Sequence, residues 1–163
     1  MADYDYDVLI IGAGPGGLEA ARVCAERGRR GLIVAGWSDL VGAYLGDHVR
    51  VVDEVVHAEV LPHCAAAVHH GGAGTTAASL RAGLPTLVCA VTADQPFWGE
   101  RVRALGVGAA VRLSSFTDDD ARAGLAVLFD DGTRSAAAAL ARRMTPADKA
   151  VAAAADICEA RLT

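Results

Sequence analysis

Twice in this chain a short apolar run ends in a glycine-rich turn that opens directly into a helical pattern. Asp7-Val8-Leu9-Ile10-Ile11 leads into Gly12-Ala13-Gly14-Pro15-Gly16-Gly17, and helix-like sequence follows from Leu18 to Arg27. Ala65 to Val68 leads into His69-His70-Gly71-Gly72-Ala73-Gly74-Thr75-Thr76, with a helical pattern from Thr75 to Ala82. An apolar run without polar alternation reads as a strand buried on both faces. A helix that starts at once after such a strand is the first half of a parallel βαβ unit. Two units of this kind require a parallel sheet covered by helices on both faces.

The rest of the chain repeats the alternation. Strands are expected near 7–12, 31–35, 49–52, 65–69, 86–90 and 108–112, and helices near 15–28, 57–63, 75–83, 95–105, 118–130, 134–143 and 146–161. Gly28 and Gly83 stand where helix C-caps belong. Thr145-Pro146 reads as an N-cap followed by Pro at the first helical position. Asp118-Asp119-Asp120 fall in a first turn, where acids complement the helix dipole. The alternation implies right-handed crossovers and a mostly parallel sheet. The fold class is therefore α/β: a Rossmann-like three-layer sandwich, one domain over residues 1–163. No repeat or linker divides it.

A net charge of −5 argues against nucleic acid as a partner. No apolar run approaches the roughly 20 residues of a membrane span. The first seven residues are acidic and polar, unlike a signal peptide. Cys24, Cys64, Cys89 and Cys158 are scattered among apolar neighbours with no Cys-x-x-Cys pair. They read as buried reduced thiols rather than metal ligands or disulfides, which suits the cytoplasm.

The turn after the fourth strand has the makings of a phosphate site. Glycines let the backbone approach an anion, and the free N–H groups and dipole of the next helix favour negative charge. His70 can add a hydrogen bond or a positive charge, and Thr75 a hydroxyl. One strand later, Asp94-Gln95 open another helix, where an acid beside an amide can hold sugar hydroxyls. Each residue also has a plainer reading. His70 alone would pass for a core histidine at a strand end, but the glycine turn beside it favours a ligand role. Asp94 fits an N-cap, which is compatible with sugar binding. His69 should face the other side of the strand and pack. His57 and His63 flank a short helix as surface or capping groups. The four histidines lack a usual metal spacing with acids, so no metal is expected. Trp98 reads as core. Trp37 either packs beneath the strand tips or lies near a nucleobase.

These residues resemble the donor-binding half of family-one glycosyltransferases of the GT-B fold, most closely the bacterial vancomycin-type and macrolide enzymes. The match runs from about Arg30 to the C-terminus through His-x-Gly-x-Gly-Thr, Leu-x-x-Gly-x-Pro and Asp-Gln-x-x-Trp, in that order. The resemblance implies that His70, Gly72, Gly74 and Thr75 bind the diphosphate of a UDP- or dTDP-sugar. It implies sugar contacts from Asp94 and Gln95, and a nucleobase cradle at Val55 and Val56. Ala90 departs from the pattern, since a Pro is usual near that point, which leaves the following loop less rigid. In the family the acceptor pocket and the usual base lie in a second, N-terminal domain. A donor half without it is expected to bind nucleotide sugar and not to transfer it. A homodimer through the face so opened is a further expectation.

The first turn looks different. Gly12-x-Gly14-x-x-Gly17 between a strand and a helix looks like the opening of FAD- or NAD(P)-binding oxidoreductases. This resemblance covers only residues 4–28. Such proteins place an acid at the tip of the second strand to hold the ribose. Here Gly31-Leu32-Ile33-Val34 ends in Ala35-Gly36-Trp37, and Asp39 lies beyond. FAD and NAD therefore rank below a pyrimidine diphosphate, and a phosphate role for Gly12, Gly14 and Gly17 stays open. Together the two resemblances read as a splice, an engineered chimera of a βα unit (1–29) and a glycosyltransferase segment (30–163). The alternatives are a natural protein with a divergent first loop, an FAD- or NAD-binding oxidoreductase fragment, and a scaffold with no functional ligand.

Overall fold

The computed structural model describes residues 5–12, 14–36 and 47–161. Strand β1 (Tyr6–Ile11) runs into helix α1 (Pro15–Glu26) and back through β2 (Gly31–Val34). Then come β3 (Val49–Val52), α2 (His57–Val60), a 3-10 turn at Leu61–His63 and β4 (Cys64–His69). They are followed by α3 (Ala73–Arg81), β5 (Thr86–Ala90), α4 (Gln95–Ala104) and β6 (Gly108–Arg112). Helices α5 (Asp118–Leu128), α6 (Asp131–Ala141) and α7 (Ala147–Ala160) complete the chain. The six strands form one all-parallel sheet in the order β3-β2-β1-β4-β5-β6. This is the doubly wound, Rossmann-like α/β arrangement the sequence predicts.

The inner strands β1, β2, β4 and β5 are largely apolar because both their faces are covered, whereas edge strand β3 carries Arg50 and exposes Val51. Successive side chains point to opposite faces. Val8, Ile10, Ala66, Val68, Leu87 and Cys89 meet Ala20, Ala21 and Cys24 of α1 and Ala121, Leu125 and Leu128 of α5. On the other face Leu9 and Ala67 join Leu61 and Leu84. There too Val88 and Ala90 meet Leu80 of α3, Val102 of α4 and Ala137 of α6. Each fully buried Leu, Ile or Val contributes about 1.5–3 kcal/mol. The small residues matter as much: a Cβ at Gly124 would lie 2.8 Å from Leu87 Cδ2, so α5 crosses β5 too closely for anything larger.

Helix ends follow local chemistry. Gly28 (φ +63°) and Gly83 (φ +76°) terminate α1 and α3 in the left-handed conformation expected of them. Thr117 and Asp120 form a capping box on α5, so the acidic triplet does more than complement the dipole. Asp118 also pairs with Arg22 and Arg122, tying α5 to α1. Helix α6 starts three residues before the expected 134 because the Asp130 side chain accepts the Thr133 N–H at 2.8 Å. At α7 the expected Thr145 cap is wrong by one position: Pro146 is itself the N-cap, with extended backbone and no side-chain cap.

Two burial expectations also need correction. Cys24, Cys64 and Cys89 are buried, but Cys158 is exposed, because α7 buries no residue against the sheet layers. Trp98 is only half-buried, since its indole N–H reaches Asp94 near the helix start rather than entering the core. Trp37 and Asp39 lie outside the described residues.

Because β1 pairs with both β2 and β4, the first unit is the middle of the sheet and not an appendage. Deleting residues 1–28 should remove the central strand, separate β3-β2 from β4-β5-β6, and expose two sheet edges. We expect a truncated chain that aggregates or unfolds without cooperativity. Sharp thermal unfolding of a monomeric truncated protein would contradict this.

Candidate functional site

In a doubly wound sheet the strand order reverses direction at one point, and a crevice opens there beyond the C-terminal strand ends. Here that point lies between β1 and β4, where Ile11 pairs with His69. The two glycine turns noted in the sequence leave these two strands side by side. A cleft of about 170 Å³ lies between them, lined by Gly12, Gly14, Gly16 and Gly17 on one side and by His69 and His70 on the other. Cys89 also lines it. Burial pushes that thiol up to about 12, so it stays protonated.

Each turn is shaped by a close approach. Gly12 has φ +109°, and a Cβ on Gly17 would run into the Gly12 carbonyl oxygen. Gly14 is the N-cap of α1, with Pro15 at the first helical position and no side-chain cap. Across the cleft Gly71 has φ +92°, and a Cβ there would lie 2.5 Å from Val88 Cγ1. Gly72 is the N-cap of α3, again without a side-chain cap. Its carbonyl accepts both the amide and the hydroxyl of Thr76, each at 2.9 Å. Two uncapped helix N-termini thus flank one crevice, each with first-turn amides that lack an intrahelical acceptor.

His70 is exposed, with its Nε2 2.7 Å from where a Cβ of Gly72 would sit. The ring thus leans over Gly72, the N-cap of α3, while Thr75 in the first turn is half-buried. His69 faces the opposite way and is 2% exposed, as its strand register predicts. Its Nδ1 accepts the Gly71 N–H at 2.9 Å, while Nε2 is buried without a hydrogen-bond partner among the described residues. Burial pushes His69 down to about 3, with smaller contributions from His70 and His57. It is therefore a neutral acceptor, not packing alone. The signal was present in the sequence: a side-chain acceptor two residues before a glycine can take that N–H, as Asx turns do.

Asp94 and Gln95 sit where the sequence placed them, between β5 and α4. Asp94 occupies the N-cap position but makes no cap bond; its Oδ2 accepts the Trp98 indole N–H at 2.8 Å. Gln95 Oε1 accepts the N–H groups of Val91 (2.8 Å) and Thr92 (3.1 Å). The loop after Ala90 is thus braced by a side chain, in place of the expected proline stiffening. Ala93 within it has φ +55°, the left-handed region that disfavours a Cβ. The Gly71 turn packs on this loop, since a Cβ at Gly71 would lie 3.3 Å from the Gln95 carbonyl oxygen.

The nucleobase pair stands farther out, beyond the end of β3. Val55 is half-buried against the Leu9 and Leu61 cluster, and Val56 is 58% exposed at the start of α2. His57 begins α2, and His63 pairs with Asp5 at 3.2 Å on the surface. At the tip of β2, Ala35 is buried and no carboxylate takes that position.

A family model described as the C-terminal domain of erythromycin biosynthesis protein CIII-like proteins matches residues 33–160. The chain belongs to this family, a C-terminal domain of glycosyltransferases. An uncharacterized glycosyltransferase of Mycobacterium tuberculosis is 48% identical over 136 residues, covering 83% of this chain and 33% of the relative. The chain spans about a third of the length of the curated relatives it matches in this way. Among solved structures, the glycosyltransferase VinC in complex with dTDP shares the fold at a TM-score of 0.73 and 24% identity, over 86% of this chain and 38% of VinC. The spinosyn forosaminyltransferase SpnP aligns at a TM-score of 0.73 and 25% identity, over 87% of this chain and 40% of SpnP. These comparisons give no support to the flavoprotein resemblance of residues 4–28, nor to a splice.

Two outcomes follow from the site's own chemistry. The His69 pKa is lower folded (about 3) than unfolded (6.5), so between these pH values the unfolded chain binds more protons. Stability should fall as pH drops through that window, with His69 alone contributing a slope of about 1.4 kcal/mol per pH unit. Denaturant unfolding of wild type and H69N from pH 7 to pH 4 should show the wild type losing more; parallel curves would refute it. Separately, Ala93→Gly should raise stability. It relieves roughly 1–2 kcal/mol of left-handed strain against about 0.5–1 kcal/mol of added chain entropy. A fall in Tm would contradict the strain.

Proposed function

We propose that this domain binds the nucleoside diphosphate portion of a UDP- or dTDP-sugar at the β1/β4 crevice and forms the donor side of a glycosyl-transfer reaction. The observation that carries the reading is the convergence of two uncapped helix N-termini and His70 on a single cleft. A diphosphate needs concentrated N–H donors and positive potential, and this cleft offers both. His70 donates to one phosphate, with Gly72, Gly74 and Thr75 supplying backbone and hydroxyl donors at the start of α3. Gly12, Gly14 and Gly17 leave room for the second phosphate at the start of α1.

The sugar falls to Asp94 and Gln95. With Oδ2 held by Trp98, Asp94 keeps Oδ1 to accept sugar hydroxyls. With its carbonyl holding the loop, Gln95 keeps its amide hydrogens as donors. Val55 and Val56 offer an apolar edge for the base. VinC, which was solved with dTDP, lends this reading the precedent of a shared fold. Transfer also needs a general base within hydrogen-bond reach of the acceptor hydroxyl. The residues assigned here serve the donor, so sugar transfer is not expected of these 163 residues alone. We infer also that the domain works in the cytoplasm, a reducing compartment that suits three buried, protonated thiols.

Calorimetric titration with UDP, dTDP, FAD and NAD tests the proposal. The pyrimidine diphosphates should bind more tightly, because no carboxylate at Ala35 grips an adenosine ribose. His70→Ala should weaken UDP or dTDP by about 1–3 kcal/mol, the scale of a charge-assisted hydrogen bond. Equal affinity in the mutant would remove His70 from the site. Tighter FAD binding would mean that the first turn sets the function.

A further inference from the structure

His69 lines the cleft but is assigned no contact with the donor, yet it is the only buried histidine among the described residues and one of the few buried polar groups. We propose that His69 is a positioning residue for the anion site: by accepting the Gly71 N–H, it holds the β4–α3 turn so that the first amides of α3 face the crevice. The inference rests on the nucleotide reading for its ligand, but its structural basis is independent of it.

Three observations carry it. First, the bond fixes the turn at its most permissive residue. Gly71 sits at φ +92°, and a glycine leaves this backbone free to take many other conformations. A buried acceptor two residues upstream selects one of them. Gly71 is itself buried, so its N–H would otherwise go unpaired, at a cost comparable to a lost hydrogen bond.

Second, the acceptor role fixes the tautomer. With Nδ1 receiving a proton donor, the ring hydrogen must lie on Nε2. That N–H is buried with no acceptor among the described residues. An apolar residue would avoid this penalty, so packing alone does not account for a histidine here. The Nδ1 bond to Gly71 does.

Third, the turn passes its position on. Gly71 lies against the Gln95 backbone and Val88, and Gln95 in turn clamps Val91 and Thr92. One side chain therefore sets the start of α3 and, through Gly71, the seat of the Asp94-Gln95 loop. His70, on the next residue, inherits its direction from the same bond.

The test uses two substitutions and two readouts. Asn places Oδ1 where His places Nδ1, so H69N keeps the acceptor; H69L does not. We expect H69L to bind UDP and dTDP about tenfold more weakly by calorimetry, the scale of one hydrogen bond. H69N should restore most of that affinity. Hydrogen exchange should show the Gly71 amide protected in wild type and H69N and fast in H69L, without ligand. If H69L folds poorly, H69N decides: lost binding with Gly71 still protected overturns the positioning role. H69L that binds as wild type does, or keeps Gly71 protected, also overturns it. Should the wild type bind neither nucleotide, the donor reading fails, and the exchange comparison alone still decides whether His69 holds the turn.

Discussion

The position of β1 between β2 and β4 is the constraint on which the rest depends. Because β1 comes first in the chain, it can pair on both sides only if later strands are added on one side and then, after the chain crosses back, on the other. That reversal places the ends of β1 and β4 together and leaves a gap above them that no crossover covers. The gap is the cleft at which we propose that the donor binds. Neither glycine turn would make a crevice alone; their adjacency follows from sheet order. Adjacency also sets the electrostatics. Two helices begin at the same place, so their first-turn amides add where a single helix would offer only one set.

Sheet layers and site chemistry make opposite demands on the same residues. Beneath the crevice the strands contribute Ile10, Val68 and Cys89, all buried and apolar. They make the floor of the cleft dry, and a low-polarity floor strengthens whatever hydrogen bonds form above it. Cys89 fits that part, as burial keeps its thiol protonated. Around this floor polar groups enter at the end of β4, where His69, the last residue paired with β1 and β5, and His70 just beyond it diverge to opposite sides. The alternating register of β4 therefore divides two histidines into a buried acceptor and an exposed donor with no other device.

Much of this was legible in the sequence. Every strand appeared within a residue or so, because a run buried on both faces is continuous and its ends are marked by Gly, Asp or Pro. The strand–glycine–helix passage through His70, Gly72 and Gly74 was legible because an apolar run and a glycine cluster mark its two ends. Other features were hidden for physical reasons. Asp130 started α6 early because a local cap outweighed the apolar periodicity used to place the helix. Trp98 looked like core, but its indole N–H needs an acceptor, and Asp94 one helical turn back supplied it. The left-handed Ala93 leaves no trace in composition. It is imposed by Gln95 reaching back to Val91 and Thr92, a contact that only the folded loop creates. The exposure of Cys158 was invisible because helix periodicity cannot say whether a partner surface exists.

The resemblance of the first turn to a dinucleotide-binding fingerprint has a physical account that needs no shared cofactor. Gly17 is required because its Cα packs on the Gly12 carbonyl, and Gly12 because its φ is positive. Gly71 is required on the facing turn for the same two reasons, a positive φ and a backbone pressed against Val88. Any parallel strand that must turn at once into a helix over its own sheet meets these steric demands. The glycines therefore report the sharpness of the turn, and only the groups around it report the ligand. At the first turn the group that would identify adenosine, an acid at the end of β2, is replaced by buried Ala35. At the second turn His70, Thr75 and the Asp94-Gln95 loop stand together. The same backbone solution thus occurs twice in one sheet, and under the donor-site proposal the side chains around the second turn, not the glycines of either, select what binds.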